Sequence, residues 1–119
     1  MDHFEHEKLD VYKAAIEFVG IAGDIVESLP QGHSHISDQL LRASTSVALN
    51  LAEGAGEFAP AEKARFYRIA RRSATESAAI LDVCRTRKLI DPQPLSAGRE
   101  VLLRVVAMLT RMVLKLGDR

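Results

Sequence analysis

Apolar residues return every three or four positions in four stretches of this 119-residue chain, and short clusters of Gly, Pro and Asp separate the stretches. That spacing follows the turn of an α-helix, so each stretch carries an apolar stripe that must be covered by a partner. Connectors of only a few residues return each helix beside the last in the opposite direction. The expected structure is all-α: a single domain over residues 1–119, folded as a left-handed, antiparallel up-down-up-down four-helix bundle. Its helices should cover about 7–28, 35–53, 60–89 and 95–117. No stretch alternates with the period of a strand, and no internal repeat stands out. Apolar residues make up 47% of the chain but aromatics only 5%, which points to packing through aliphatic side chains.

The clearest pattern is in the last helix, where Leu95, Leu102, Leu109 and Leu116 are seven apart, joined by Val105, Val106, Met112 and Val113. Asp91, Pro92 and Pro94 should break the chain before it, with Ser96 at or near its cap. The first helix has two apolar rows. Leu9, Tyr12, Ile16, Val19, Gly23 and Val26 form the expected core face. Val11, Phe18 and Ile25 form a second row beside Ala14 and Ala22. The second row is either the edge of one wide stripe or a face for a subunit contact, and Val11, Phe18 and Ile25 are the candidate interface residues.

The second helix, capped at Ser34 or Ser37, has Leu40, Ser44, Val47 and Leu51 as its seam. Ser44, Ala48 and Ala52 form a flanking line of small residues that lets a neighbouring backbone approach. Its Ser, Thr and Asn are mediocre helix formers, so packing must hold it. Gly54 and Gly56 should stop it, and Pro60 suits the first turn of the third helix. On that helix Phe66, Ile69, Ala70, Ser73, Ser77, Ile80, Leu81 and Cys84 follow one face.

Net charge is zero, but residues 1–30 hold seven acids against two bases, and residues 62–90 hold eight bases against three acids. At about 100° per residue, placing Phe66 at the centre of the buried face turns Arg65, Arg68, Arg71 and Arg72 outward. Like charges three or four apart repel on a helix. Arg104 and Arg111 form a second row on the last helix, with Lys115. Guanidinium groups take phosphate bidentately, so Arg65, Arg68, Arg71, Arg72, Arg104 and Arg111 are candidate nucleic-acid contacts. A solvated charged face, or a face that meets the acidic helix of a neighbour, fits the same pattern. No basic face with interleaved aromatics is present, so base stacking is not signalled.

Other chemistry finds little support. A single cysteine, Cys84, excludes an intrachain disulfide and a cysteine-rich zinc site. His3, His6, His33 and His35 lie in terminal or loop segments, and Glu-x-x-His occurs nowhere, which disfavours a bundle di-iron site. Gly54-Ala-Gly56 lacks the rest of a phosphate loop. Ser44 and Ser46 have no histidine base nearby in sequence. No enzyme activity, catalytic residue, metal or cofactor is expected. Arg42, Ser46, Asn50 and Glu53 form a polar line on one side of the second helix, which reads as a structural network. The N-terminus shows no signal peptide, and no uncharged run would span a bilayer. A cytoplasmic protein without membrane contact is expected.

The segments "RASTSVALNLAEGAGE" and "EKARFYRIARRSATES" resemble the four-helix-bundle proteins encoded in intervening sequences of bacterial 23S ribosomal RNA genes. The matches are Arg42, Ala43, Ser46, Asn50, Ala52, Glu53 and Gly54, then Phe66, Ala70, Ser73 and Glu76. The opening "LDVYKAAIEFV" also fits that family's first helix. Leu41 departs from it, standing where a second basic residue is common. The matching positions look structural, which adds Ser73 and Glu76 to the polar network. The family is similar to the accessory variability determinant proteins of diversity-generating retroelements, which assemble five bundles into a barrel and bind a reverse transcriptase and nucleic acid. The resemblance implies a homo-oligomer, a pentamer, that binds structured RNA or DNA. The alternative it leaves open is a protein-interaction scaffold or accessory subunit that recruits an enzyme without touching nucleic acid.

Overall fold

The computed structural model describes residues 2–117, and among these it has four α-helices and no strand. A 3₁₀ helix over Glu5–Lys8 precedes α1, Asp10–Ser28; then come α2, Ser34–Ala55, α3, Pro60–Thr86, and α4, Pro92–Lys115. Each helix packs against two others, α1 on α2 and α4, and α3 on α2 and α4, so α1 and α3 lie across the diagonal of a square bundle. Directions alternate. Ser46 meets Ser73 while Gly54 meets Tyr67, and Glu17 meets Arg104 while Ile21 meets Gly98. No helix among the described residues is long and apolar enough to cross a membrane.

The helix ends differ from expectation for local reasons. The first segment does not run unbroken from residue 7: Leu9 is extended (φ −80°, ψ 126°), and its carbonyl accepts the first α1 hydrogen bonds, from Tyr12 at 3.1 Å and Lys13 at 3.2 Å. α2 opens at Ser34, so its N-cap is His33 and neither Ser34 nor Ser37. α4 starts at Pro92, capped by Asp91, so Ser96 lies inside the helix. Both prolines fall in the first turn, where the missing N–H has no helical acceptor anyway, and they begin the helix instead of breaking it. α3 ends in a Schellman turn. The Leu89 N–H bonds the Cys84 carbonyl at 3.0 Å and the Lys88 N–H the Arg85 carbonyl at 3.1 Å, with Lys88 in the left-handed region at φ 55°.

Two glycines, one on α2 and one on α4, decide which faces are buried. Gly98 of α4 leaves room for a ring: a Cβ there would sit 3.3 Å from Phe18 and 3.0 Å from Leu81. Phe18 fills that room, and Val11, Phe18 and Ile25 are 2%, 1% and 0% exposed. This corrects the subunit-face reading of those three residues, which belong to the core of the single chain. The row expected in the core is the outer one, since Tyr12, Val19 and Val26 are half-buried and Ile16 is exposed. Similarly, Gly54 lies under Tyr67, where a Cβ would come within 2.6 Å of the ring. Tyr67 is therefore the buried aromatic of α3 and Phe66 only half-buried. The difference is confined to the start of α3, where Ala64 and Tyr67 take the inner positions and Ile69 is half-buried; Ala70, Ser73, Ser77, Ile80, Leu81 and Cys84 are buried as expected, with Ala74 beside them. The seam of α2 is as expected, with Leu40, Ser44, Val47 and Leu51 all buried.

Candidate nucleic-acid interface

The arginines at the start of α3 are not equally exposed. Arg65 and Arg72 are exposed, while Arg68 and Arg71 are half-buried. Arg65 grips Glu62 with two bonds, Nε to Oε1 at 3.0 Å and Nη2 to Oε2 at 3.2 Å. The hydrogen bond from Arg65 holds the Glu62 carboxyl below its usual range, and the same contact raises the Arg65 guanidinium. That guanidinium also lies 4.5 Å from the centre of the Phe66 ring. Arg71 swings toward α4, and its Nη1 donates to Thr110 Oγ1 at 3.4 Å. Arg68 is engaged within the fold. Arg72 is the arginine of this row that projects most plainly into solvent.

Arg104 and Arg111 do not extend this surface. Thr110 faces α3, whereas Arg104 and Arg111 turn to the other flank of α4 and line a groove of about 550 Å³ with Asp10, Lys13, Glu17 and Met108 of α1 and α4. There Arg104 Nη2 lies 3.3 Å from Glu17 Oε1. The six candidate arginines thus form two groups, on opposite sides of α4.

The polar network is smaller than the sequence line, and it crosses between helices. The hydroxyls of Ser46 and Ser73 are 2.8 Å apart, joining α2 to α3. Asn50 Nδ2 donates to the Ser46 carbonyl at 2.9 Å and to Ser46 Oγ at 3.0 Å. The Ser77 hydroxyl donates to the Ser73 carbonyl at 2.9 Å. Arg42, Glu53 and Glu76 are exposed and stand outside this set. One contact was missed from the sequence. Lys63 Nζ donates to the Gly54 carbonyl at 2.8 Å and the Ala55 carbonyl at 3.1 Å, so a cation closes the C-terminus of α2. A lysine in the first turn after a tight helix connector was the available signal.

Among the described residues no group of three or more His, Cys, Asp or Glu is placed to hold a metal ion. His6 instead packs between Phe4 and Tyr12, with ring centroids 5.8 and 4.6 Å away. Cys84 is fully buried, and burial pushes its thiol up.

Comparison with known proteins follows the same lines. The chain is similar to a crystal structure from Bacteroides thetaiotaomicron VPI-5482, a protein of unknown function from the S23 ribosomal protein family. The TM-score is 0.80 at 19% identity, covering 87% of this chain and 97% of that one. That likeness is one of fold. No curated protein matches the chain. The residues with the motif geometry described above, Ser46, Asn50, Gly54 and Ser73, fall within a stretch, residues 7–111, that matches the family described as 23S rRNA-intervening sequence protein. The chain belongs to that family.

Proposed function

We propose that this protein is a non-enzymatic, self-associating bundle of the cytoplasm that holds structured RNA or DNA by its phosphates, through Arg65, Arg68, Arg71 and Arg72 on α3. The observation that carries the reading is the concentration of four guanidinium groups within about two turns of one helix, whose inner face is fixed against both α2 and α4. A rigid base holds the cations in one pattern, which favours a shaped, multiply charged ligand over single ions. Arg104 and Arg111 act as a separate basic surface in this reading. The family description refers to an intervening sequence of 23S rRNA, which makes RNA the first ligand to try. Assembly as a pentamer completes the proposal, since copies of one α3 surface would line up several such patches.

The test is retention of structured RNA at rising salt. Affinity should fall linearly on a log–log scale, with a slope near the number of phosphates neutralised. Arg68→Ala, Arg71→Ala and Arg72→Ala together should weaken retention, with helicity by circular dichroism confirming the fold. Arg104→Ala should matter less. Retention unchanged by salt and by the triple variant would remove these residues from the site. The native particle mass, with and without RNA, reports the subunit number.

A second reading, an accessory subunit that recruits another protein, draws on the exposed aromatic and aliphatic residues Phe58 (98%), Phe4 (72%) and Leu49 (60%). Binding of a protein partner by a chain that retains no RNA would favour it.

A further inference from the structure

The two flanks of the bundle are charged oppositely. Residues 1–59, which include the 3₁₀ helix, α1 and α2, hold ten acids against three bases, and residues 60–119 hold six acids against thirteen bases. Because α1 lies beside α2 and α3 beside α4, one flank is acidic and the opposite flank basic. Each flank also carries an apolar feature that a single chain leaves open. The acidic half ends at the α2–α3 connector, where Phe58 stands 98% exposed next to Glu57. On the basic flank, a groove of about 200 Å³ runs between α3 and α4, walled by Ala78, Leu102, Leu103 and Val106 and rimmed by Arg99. Leu103 is 58% exposed there.

Knob and groove match in size, polarity and charge. A phenyl ring buries a large apolar area in a slot lined with aliphatic side chains. Seating it brings the carboxylate beside Phe58 toward the guanidinium of Arg99, and pairing across such a rim sets orientation. Phe58 precedes the first turn of α3 while Ala78 of the groove wall lies far down the same helix, roughly 27 Å along its axis at 1.5 Å per residue, so knob and groove can meet only between copies. A two-fold pairing of like flanks would set acid against acid.

We propose that Phe58 of one copy seats in the α3/α4 groove of the next, with Glu57 against Arg99, in a head-to-tail contact; this rests on the self-association reading and supplies its interface. A repeated contact of this kind closes into a ring where the rotation permits, and otherwise runs on as a filament. It uses the groove at Arg99 and leaves the exposed Arg72 uncovered for phosphate.

Sedimentation velocity over a range of protein and salt concentrations tests it. Phe58→Ser, a change at an exposed position, should weaken association by about tenfold or more, as removal of a buried aromatic anchor does. Glu57→Arg and Arg99→Glu should each weaken it, and the two reversals combined in one chain should restore it. Association that survives Phe58→Ser and both reversals overturns this contact while leaving self-association standing. A chain that is monomeric at every concentration overturns both. Circular dichroism on each variant separates loss of association from loss of fold.

Discussion

At the scale of single residues, the fold turns on small side chains that admit large ones. Gly54→Ala would drive a methyl group to within 2.6 Å of the Tyr67 ring and 3.1 Å of Phe66 Cβ, an atom that rotation of a side chain does not move. Loss of about 1–3 kcal/mol is expected, the usual cost of overpacking. Gly20, by contrast, has nothing within 4 Å of where a Cβ would stand. Gly20→Ala should stabilise by roughly 0.5–1 kcal/mol, the ordinary helix-propensity gain. Urea denaturation of the two variants measures both signs. These glycines also explain what the sequence could not show. Phe66 and Tyr67 are adjacent, as are Gly54 and its neighbours, and nothing local says which ring meets which gap. That pairing is made across helices, so the aromatic position at the start of α3 and the turn of Arg71 toward Thr110 are not legible locally, whereas the inner face from Ala70 to Cys84 is. The Val11, Phe18 and Ile25 row was misplaced for the same reason, because Gly98, some eighty residues later, decides its burial.

At the scale of elements, number, order and type were legible because each helix carries its own apolar period, and that needs no partner to read. The Leu95, Leu102 and Leu109 row of α4 is buried as spaced, with Leu116 half-buried at the end. Ends were less legible, since Pro92 and Pro94 read equally as breakers or as a first turn. The polar line of α2 was legible only in part: Ser46 and Asn50 are tied together, but the partner that draws them inward, Ser73, lies on α3. The α3 terminus offers a test of turn chemistry. Lys88 adopts φ 55°, a region that costs a side-chain-bearing residue about 1–2 kcal/mol. Lys88→Gly should therefore raise stability by about 0.5–1 kcal/mol after the entropy of a more flexible unfolded chain is deducted. The thermal midpoint should rise by a few degrees, whereas a Gly32→Ala change in the opposite sense, at φ 93°, should lower it.

At the scale of the whole molecule, the buried tyrosine links the fold to pH. Desolvation raises the Tyr67 phenol above its ordinary value, because the folded core disfavours the phenolate. Its contribution is therefore full below the unfolded pKa of about 10 and is lost as pH climbs through the higher folded value. The stability difference between wild type and Tyr67→Phe, followed by urea titration from neutral to strongly alkaline pH, should move against the wild type only above about pH 10. The lysine that closes α2 bears on the order of assembly. Lys63, Gly54 and Tyr67 knot together two helices that are neighbours along the chain, so their loop closes at little entropic cost. The α2–α3 hairpin should then be in place at the folding barrier, before the termini dock. Lys63→Met should slow refolding in stopped-flow experiments and leave the unfolding arm nearly untouched.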